Sequence, residues 1–466
     1  MFNLETDVFI LLGIVLFAAC VFEFINGFHD TANAVATVIY TNSMKPISAV
    51  VWSGVVNFLG VISGGIGVGL SIIHLLPIDL LIDQNTGEIF AMVFAMLLSA
   101  IIWNFGTWYF GIPSSSSHTL IGAILGVALG YALLPNNTTV LESVNWSKAV
   151  KIFTGLLMAP VIGFTLAIIL MAILKKVAPA SQREMIFSEP DVRKKPPIWI
   201  RGILIGTSTL VSFFHGRNDG QKGIGLIMLI LVAVVPAKFA LSPNTSLEDV
   251  MPQITQAESI LNAIETSDND QKGLIESSLS EIQYIKTSGN IEGEDLNIRA
   301  SILKLSDHVS HLVQLENSSL TPGQKSELSK LLAQDEKGVR KLVDFAPFWV
   351  IMLISLSLGL GTMFSWKRIV VTIGEKIGKT HLNYAQGASA ELVAATTIGL
   401  ASGFGLPVST THTLSSGVAG TMVASDGLGN LQLNTIRNIL ITWVLTLPAS
   451  IGLSAGLFLL FRMFVS

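Results

Sequence analysis

The chain has 466 residues, half of them apolar and only 13% charged. A soluble protein of this length carries roughly 25% charged residues, so the composition argues against a cytosolic enzyme. The net charge of −4 says little, because in so apolar a chain the placement of charges matters more than their sum.

In chain order, Met1–Asp7 is acidic and no small-residue cleavage site follows, so Val8–Gly27 reads as a retained first helix. Cys20 within it is the single cysteine, which excludes an intrachain disulfide and a cysteine-rich metal site. Pro46–Ile73, Glu88–Phe110 and Ala149–Leu174 are also nearly free of charge, and each reaches the roughly 20 residues that cross a bilayer core. The chain is therefore expected to be an all-α polytopic membrane protein. Between Pro46–Ile73 and Glu88–Phe110, Leu75–Gly87 carries Asp79 and Asp83 and no base, which places it outside. Between Lys175 and Arg201 the bases Lys175, Lys176, Arg183, Arg193, Lys194, Lys195 and Arg201 face only Glu184, Glu189 and Asp191, which places that loop inside. Lys367, Arg368, Lys376 and Lys379 place another loop inside.

From Leu241 to Asp344, 17 acids face 9 bases. Apolar residues recur there at helical spacing, as at Val250, Ile254, Leu261 and Ile264 and again at Ile302, Leu305, Val309, Leu312 and Leu315. This predicts a small helical insertion, placed outside by the path of the chain. Its His308 and His311, without a third ligand, read as a solvated face. One crossing per segment gives five crossings before the basic loop and five after it, with both termini outside. The expected divisions are a first membrane repeat at 1–174, a basic linker at 175–198, the start of a second repeat at 199–240, the insertion at 241–345 and the remaining membrane part at 346–466.

Five is odd, so halves of one fold would lie upside down relative to each other. Pro113-Ser114-Ser115-Ser116-Ser117-His118-Thr119-Leu120 matches Pro407-Val408-Ser409-Thr410-Thr411-His412-Thr413-Leu414, and Gly27-Phe28-His29-Asp30 matches Gly216-Arg217-Asn218-Asp219. The two motifs lie 83 positions apart in the first half and 188 in the second, a difference of 105 that one insertion explains. Inverted repeats mark secondary transporters, whose sites form where discontinuous helices meet. Asp7–Met44 and Trp199–Phe239 are each about twice a single span, which predicts a broken or re-entrant helix in each.

The hydroxyl-rich segments open new apolar helices after a proline. Helix starts offer unpaired N–H groups and the positive end of the dipole, and hydroxyls add donors without charge, a cradle suited to phosphate or sulfate. Ordinary capping needs one hydroxyl; here Ser114, Ser115, Ser116 and Ser117 run together, with Ser409, Thr410 and Thr411 in the partner segment. His118 and His412 read as packing residues. Asp30 and Asp219 would repel an anion unless a proton, Na⁺ or a divalent metal joins them, which is the reason to expect coupled transport. Asn33, Asn218 and Lys222 complete the polar set, and Lys222 stands where the first half has Asn33.

The runs Gly27–Ala34, His215–Gly223 and Pro407–His412, with Gly374–Lys379, resemble the paired signatures of the PiT inorganic phosphate transporters, and most of all their bacterial low-affinity branch. The resemblance covers about 350 residues and implies a dimeric, inverted-repeat symporter of phosphate driven by protons or Na⁺. In the bacterial branch it implies phosphate carried as a neutral complex with a divalent metal such as Mg²⁺. It groups Asp30 and Asn33 with Ser115, Ser116 and Ser117, and Asp219 and Asn218 with Ser409, Thr410 and Thr411. His29 replaces an Asn found in many relatives, and Lys222 replaces an Asn kept by sodium-coupled ones. Lys222 is then expected to stand in for one bound Na⁺, with Asp30, Asp219 and His29 as coupling-ion residues and proton coupling as the outcome. No tightly bound cofactor and no nucleic-acid partner is expected. A sulfate permease would use the same cradle; a channel would need rings of ligands; a hydrolase built on Ser117, His118 and Asp30 lacks a nucleophile held by a separate base.

Overall fold

In hydrocarbon each backbone polar group must find its partner within its own segment, and the chain meets that demand with helices. A computed structural model describes residues 5–76, 86–134, 144–191, 194–289, 291, 293–315, 317–333, 338–364 and 367–465. Among these there is no strand, only one isolated bridge between Gly378 and Leu431. The first helices are α1 (Thr6–Tyr40), α2 (Pro46–Ile62), α3 (Gly67–Ile73), α4 (Thr86–Tyr109), α5 (Ser116–Ala132) and α6 (Trp146–Val177). After α7 (Ala180–Phe187) and α8 (Ile198–Val234) come α9 (Pro236–Phe239), α10 (Met251–Asn262), α11 (Asn269–Ser288), α12 (Asp295–Gln314) and α13 (Pro322–Leu331). The last are α14 (Phe348–Thr362), α15 (Lys367–Glu375), α16 (Tyr384–Gly403), α17 (Thr410–Asp426) and α18 (Leu433–Arg462).

Helices α1, α4, α6, α8 and α18 are long and apolar enough to span a bilayer alone, and the pairs α2/α3 and α14/α15, bent by 73° and 64°, bring the number to seven. The protein is a multi-pass membrane protein. Among the described residues ten long apolar helices do not appear: α5 and α17 have 17 residues each. The breaks also lie elsewhere than sequence length predicts. Helices α1 and α8 run unbroken through Gly27–Asn33 and Gly216–Lys222, because neither motif contains a proline and the polar side chains bond to other helices instead of withdrawing backbone groups. The first bend falls at Gly64-Gly65, where Gly65 takes a left-handed φ of 74°.

One compact unit holds Met228–Ala346 and the other holds the helices up to Ile227 and from α14 onward. In the first, Val250, Ile254, Leu261, Ile302, Leu305 and Val309 form a closed apolar core. Arg299 is fully buried beneath it and donates to Ala240 O at 3.0 Å and Val343 O at 2.6 Å, so one guanidinium holds the two ends of this segment together. Burial pushes that guanidinium down to about 10, still charged at neutral pH. His308 is half-buried and His311 exposed.

Lipid offers no hydrophobic drive between helices, so close backbone approach must supply the attraction, and glycine permits it. On α1, Gly27 faces Leu358 O of α14, and a Cβ on Gly361 would stand 2.1 Å from Phe24 O. Helix α8 meets α2 in the same way, with Gly216 against Asn57 and Gly60 against Phe213. Gly126 of α5 packs on Ile451 of α18, and Gly420 of α17 packs on Phe164 of α6. Each hydroxyl-tipped helix thus leans on the last helix of the opposite half. Helices α1 and α8 run antiparallel, since Gly223 lies beside Glu23, His215 beside Asp30, and Ser208 bonds to Ala34 O. Exposed Phe17, Leu157, Ile198 and Val444 form part of the apolar outer surface.

Candidate functional site

Glu23, Asn26, Asp30, Asn33 and Thr37 recur every three or four residues along α1 and are all buried, so they form one polar stripe. Helix α8 opposes it with Ser208, Ser212, His215, Asp219 and Lys222 at the same spacing, also buried. Where the stripes cross, the starts of α5 and α17 arrive. Ser117 Oγ of α5 donates to Val408 O just before α17 at 2.8 Å, and the His118 and His412 rings lie 4.6 Å apart. His412 also stacks on Trp443 at 4.0 Å, so both histidines pack behind the helix starts.

The helix starts divide their polar groups between two tasks. Ser115 and Ser409 are the N-caps, accepting from His118 N at 3.2 Å and His412 N at 3.1 Å; Ser115 also bonds His118 Nδ1 at 2.8 Å. Their oxygens thus face their own helices, where the sequence had them among the anion ligands. Ser116, Thr410 and Thr411 turn toward the two carboxylates, and Ser117 toward Lys222 and Val408 O. Thr411 donates to Asp30 Oδ1 at 2.5 Å and Thr410 to Oδ2 at 3.0 Å, while Asn33 donates to Thr411 Oγ1 at 3.1 Å. Ser116 donates to Asp219 Oδ2 at 3.3 Å. Lys222 Nζ reaches Asp219 Oδ1 at 2.5 Å, Ser117 Oγ at 2.5 Å and Val408 O at 3.0 Å.

This corrects the grouping drawn from the sequence. Asp30 and Asn33 take Thr410 and Thr411 of the second half rather than Ser115–Ser117, and Asp219 takes Ser116 of the first. Antiparallel crossing of α1 and α8 brings each carboxylate to the opposite half's helix start. Asn218 lies outside this exchange: it donates to Ser402 Oγ at 2.9 Å and Leu406 O at 3.2 Å and braces the loop ahead of α17. His29 contacts Asp30 Oδ1 at 3.5 Å and Thr107 Oγ1 at 3.3 Å.

Sequence reasoning quoted His215 only as part of a run, yet it holds the centre, with Nε2 at 3.4 Å from Asp30 Oδ2 and 3.5 Å from Asp219 Oδ2. Its spacing of four residues from Asp219 on one helix face was the available signal. Asn57 fixes the ring. Thr362 Oγ1 gives its proton to Leu358 O, so it accepts from Asn57 Nδ2 at 3.1 Å, which turns Asn57 Oδ1 toward His215 Nδ1 at 2.9 Å. With Nδ1–H so engaged, Nε2 lies within 3.5 Å of both carboxylates without a hydrogen bond to either, an atom placed to take a proton. Asp30, His215 and Asp219 are also the one group of potential metal ligands among the described residues. An imidazole in the set disfavours Na⁺ and Mg²⁺, which prefer oxygen, and suits a proton.

Two carboxylates face one ammonium here, a surplus of one negative charge before any anion arrives. The orphaned Ser114 Oγ and Asn33 Oδ1 are polar atoms left for a ligand or water.

The phosphate transporter family model matches residues 26–454. The chain is 43% identical to the low-affinity inorganic phosphate transporter PitB of Escherichia coli (strain K12), over 98% of this chain and 99% of that protein. It is 41% identical to PitA of the same strain, over 99% and 98%, and 42% identical to a low-affinity inorganic phosphate transporter of Buchnera aphidicola subsp. Acyrthosiphon pisum, over 96% of both. A solved structure described as the sodium-dependent phosphate transporter shares the fold, with a TM-score of 0.56 at 19% identity over 97% of this chain and 99% of that one. On the family match and the full-length relatives together, this chain belongs to the phosphate transporter family.

Proposed function

We propose that the protein imports inorganic phosphate across the cell membrane by proton symport. The observation that carries this reading is His215 held between Asp30 and Asp219, with Lys222 locked to Asp219. Phosphate adds negative charge to a pocket that already has a surplus, so a cation must enter with it. The ammonium of Lys222 fills the place a sodium ion would take, and the imidazole favours a proton as the remaining cation. The orphan N–H groups at the starts of α5 and α17 supply donors for the anion, and Ser116, Ser117, Thr410 and Thr411 join them when their hydroxyls turn from their present acceptors. The carboxylates favour phosphate over sulfate, because only phosphate keeps a hydroxyl near neutral pH to donate to them.

A neutral complex of phosphate with a divalent metal meets the same charge condition, so Mg²⁺ is expected to raise uptake. Antiparallel α1 and α8, and the reciprocal packing of α5 on α18 and α17 on α6, support inverted repeats that alternate access to a shared pocket. The basic loop is inside by its charge, and the termini and insertion are outside by the path of the chain. The homodimer implied by the family resemblance belongs to this reading, and crosslinking in native membranes tests it.

Labelled phosphate uptake into proteoliposomes checks the coupling. An acidic exterior is expected to drive accumulation in the absence of Na⁺, with little competition from excess sulfate. Uptake that needs Na⁺ and ignores the pH gradient would refute proton symport.

A further inference from the structure

The seam between α1 and α8 holds a carboxyl group that the central pocket does not use. Glu391 of α16 is fully buried and accepts from Thr37 of α1 and, at 2.5 Å, from Thr207 of α8. We propose that Glu391 is the proton-release site of the cycle, taking the proton that enters with phosphate at His215 and passing it toward the face of the basic loop. The inference rests on the proton-symport reading.

Position supports it. Thr37 follows Asp30 by seven residues and Thr207 precedes His215 by eight, so Glu391 stands about two turns, or ~10 Å, along the seam. The layer between is built of hydroxyls: Ser208 donates to Ala34 O at 2.5 Å, and Ser212 donates to Ser208 O at 3.0 Å and meets Ser53 at 2.9 Å. Beyond Glu391, α1 ends at Tyr40 and α8 begins at Ile198, beside the basic loop. Thr207 also borders a cavity of about 200 Å³ walled by Trp199, Ile203, Tyr384 and Ser389, at that same end of α8.

Chemistry supports it as well. Both hydroxyls bond directly to the carboxyl, which leaves no room among them for a metal ion with its several oxygen ligands, so the cation that fits is a proton. Among the described residues, the side chains that bond to Glu391 are the two threonines and no charged group. On α1 and α8 the nearest charged groups are Asp30 and His215 on one side and, on the other, Arg201, whose guanidinium donates to Ser43 O at 2.7 Å. Helix α6 brings Met171 against Ser389, α17 brings Gly417 against Ala390, and α7 meets α16 at Asn383. In the transfer, imidazolium Nε2–H gives up its proton, the Glu391 carboxylate takes it and becomes a carboxylic acid, and release to water restores the carboxylate. An intramembrane carboxyl so placed is a functional group by default.

The test compares two assays on the reconstituted full chain. Phosphate/phosphate exchange without a gradient moves substrate with its proton still bound; accumulation driven by a pH gradient requires release. E391Q is expected to keep exchange and lose accumulation, and E391D to regain part of it. An E391Q protein that accumulates phosphate like the wild type, or that loses both activities in proportion, overturns the proposal. A wild type indifferent to the pH gradient sinks the symport reading itself and this inference with it, an outcome read from the control alone. If E391Q does not reach the membrane, Thr207→Val decides: slowed accumulation with normal exchange supports the relay, and unchanged accumulation overturns it.

Discussion

Lys222 is the residue on which the charge balance of the pocket turns, since it alone pairs a carboxylate with a permanent cation there and also links Asp219 to Ser117 of the opposite half. Removing one partner of a buried ion pair leaves the other charge uncompensated, at a cost of about 3–5 kcal/mol. Lys222→Met is therefore expected to lower the melting temperature in detergent and abolish uptake. The double variant Asp219→Asn/Lys222→Met should recover most of the stability and none of the transport. A single variant that melts with the wild type would show the pair to be energetically idle. The carboxylates were legible in the sequence because charge in an apolar run stands out. Their partners were less so: the sequence set Lys222 opposite Asn33 without naming what it would bond to, and His215 was quoted only within a run because a histidine carries no fixed charge to signal it. Glu391 escaped notice because it has no counterpart in the other half and its hydroxyl partners lie on two distant helices.

Among the elements, the helices themselves were readable from apolar length, but their continuity was not. Polar motifs in α1 and α8 imitate a break, and only the tertiary partners of Asp30, Asn33, Asn218 and Lys222 show why the backbone can continue. What holds these helices is glycine contact, and this has a measurable consequence for α5, whose first turn carries Ser116 and Ser117. A Cβ at Gly126 would lie 2.4 Å from Ile451 O, whereas one at Gly452 of the adjoining α18 meets nothing within 4 Å. Gly126→Leu is expected to cost about 1–3 kcal/mol by overpacking and, by tilting α5, to raise the phosphate concentration needed for half-maximal uptake. Gly452→Leu serves as the control and should leave melting and uptake unchanged. Equal effects from both substitutions would remove glycine packing as the determinant of where the helix start lies.

At the scale of the whole molecule, the paired motifs lead the sequence reading to two unequal copies of one module, with the inequality of 105 positions assigned to the insertion. That arithmetic was available from the motifs alone; how the copies interlock was not, because exchange of α5 and α17 onto each other's closing helices leaves no mark on local sequence. The insertion has its own apolar core, as a segment that folds as a unit needs. Arg299 reaches Ala240 O and Val343 O from a single nitrogen, which means that the chain leaves and re-enters the insertion at neighbouring points. A gap so narrow can be closed by a few flexible residues. Replacing 241–342 with a short Gly/Ser linker is therefore expected to give a protein that still inserts, elutes as a single species in detergent and takes up phosphate, since none of the groups around His215 lies in the removed segment. Loss of insertion into the membrane would mean that the segment guides folding. Normal insertion with no uptake would mean that the pocket formed by α1, α5, α8 and α17 depends on the removed domain for its transport cycle.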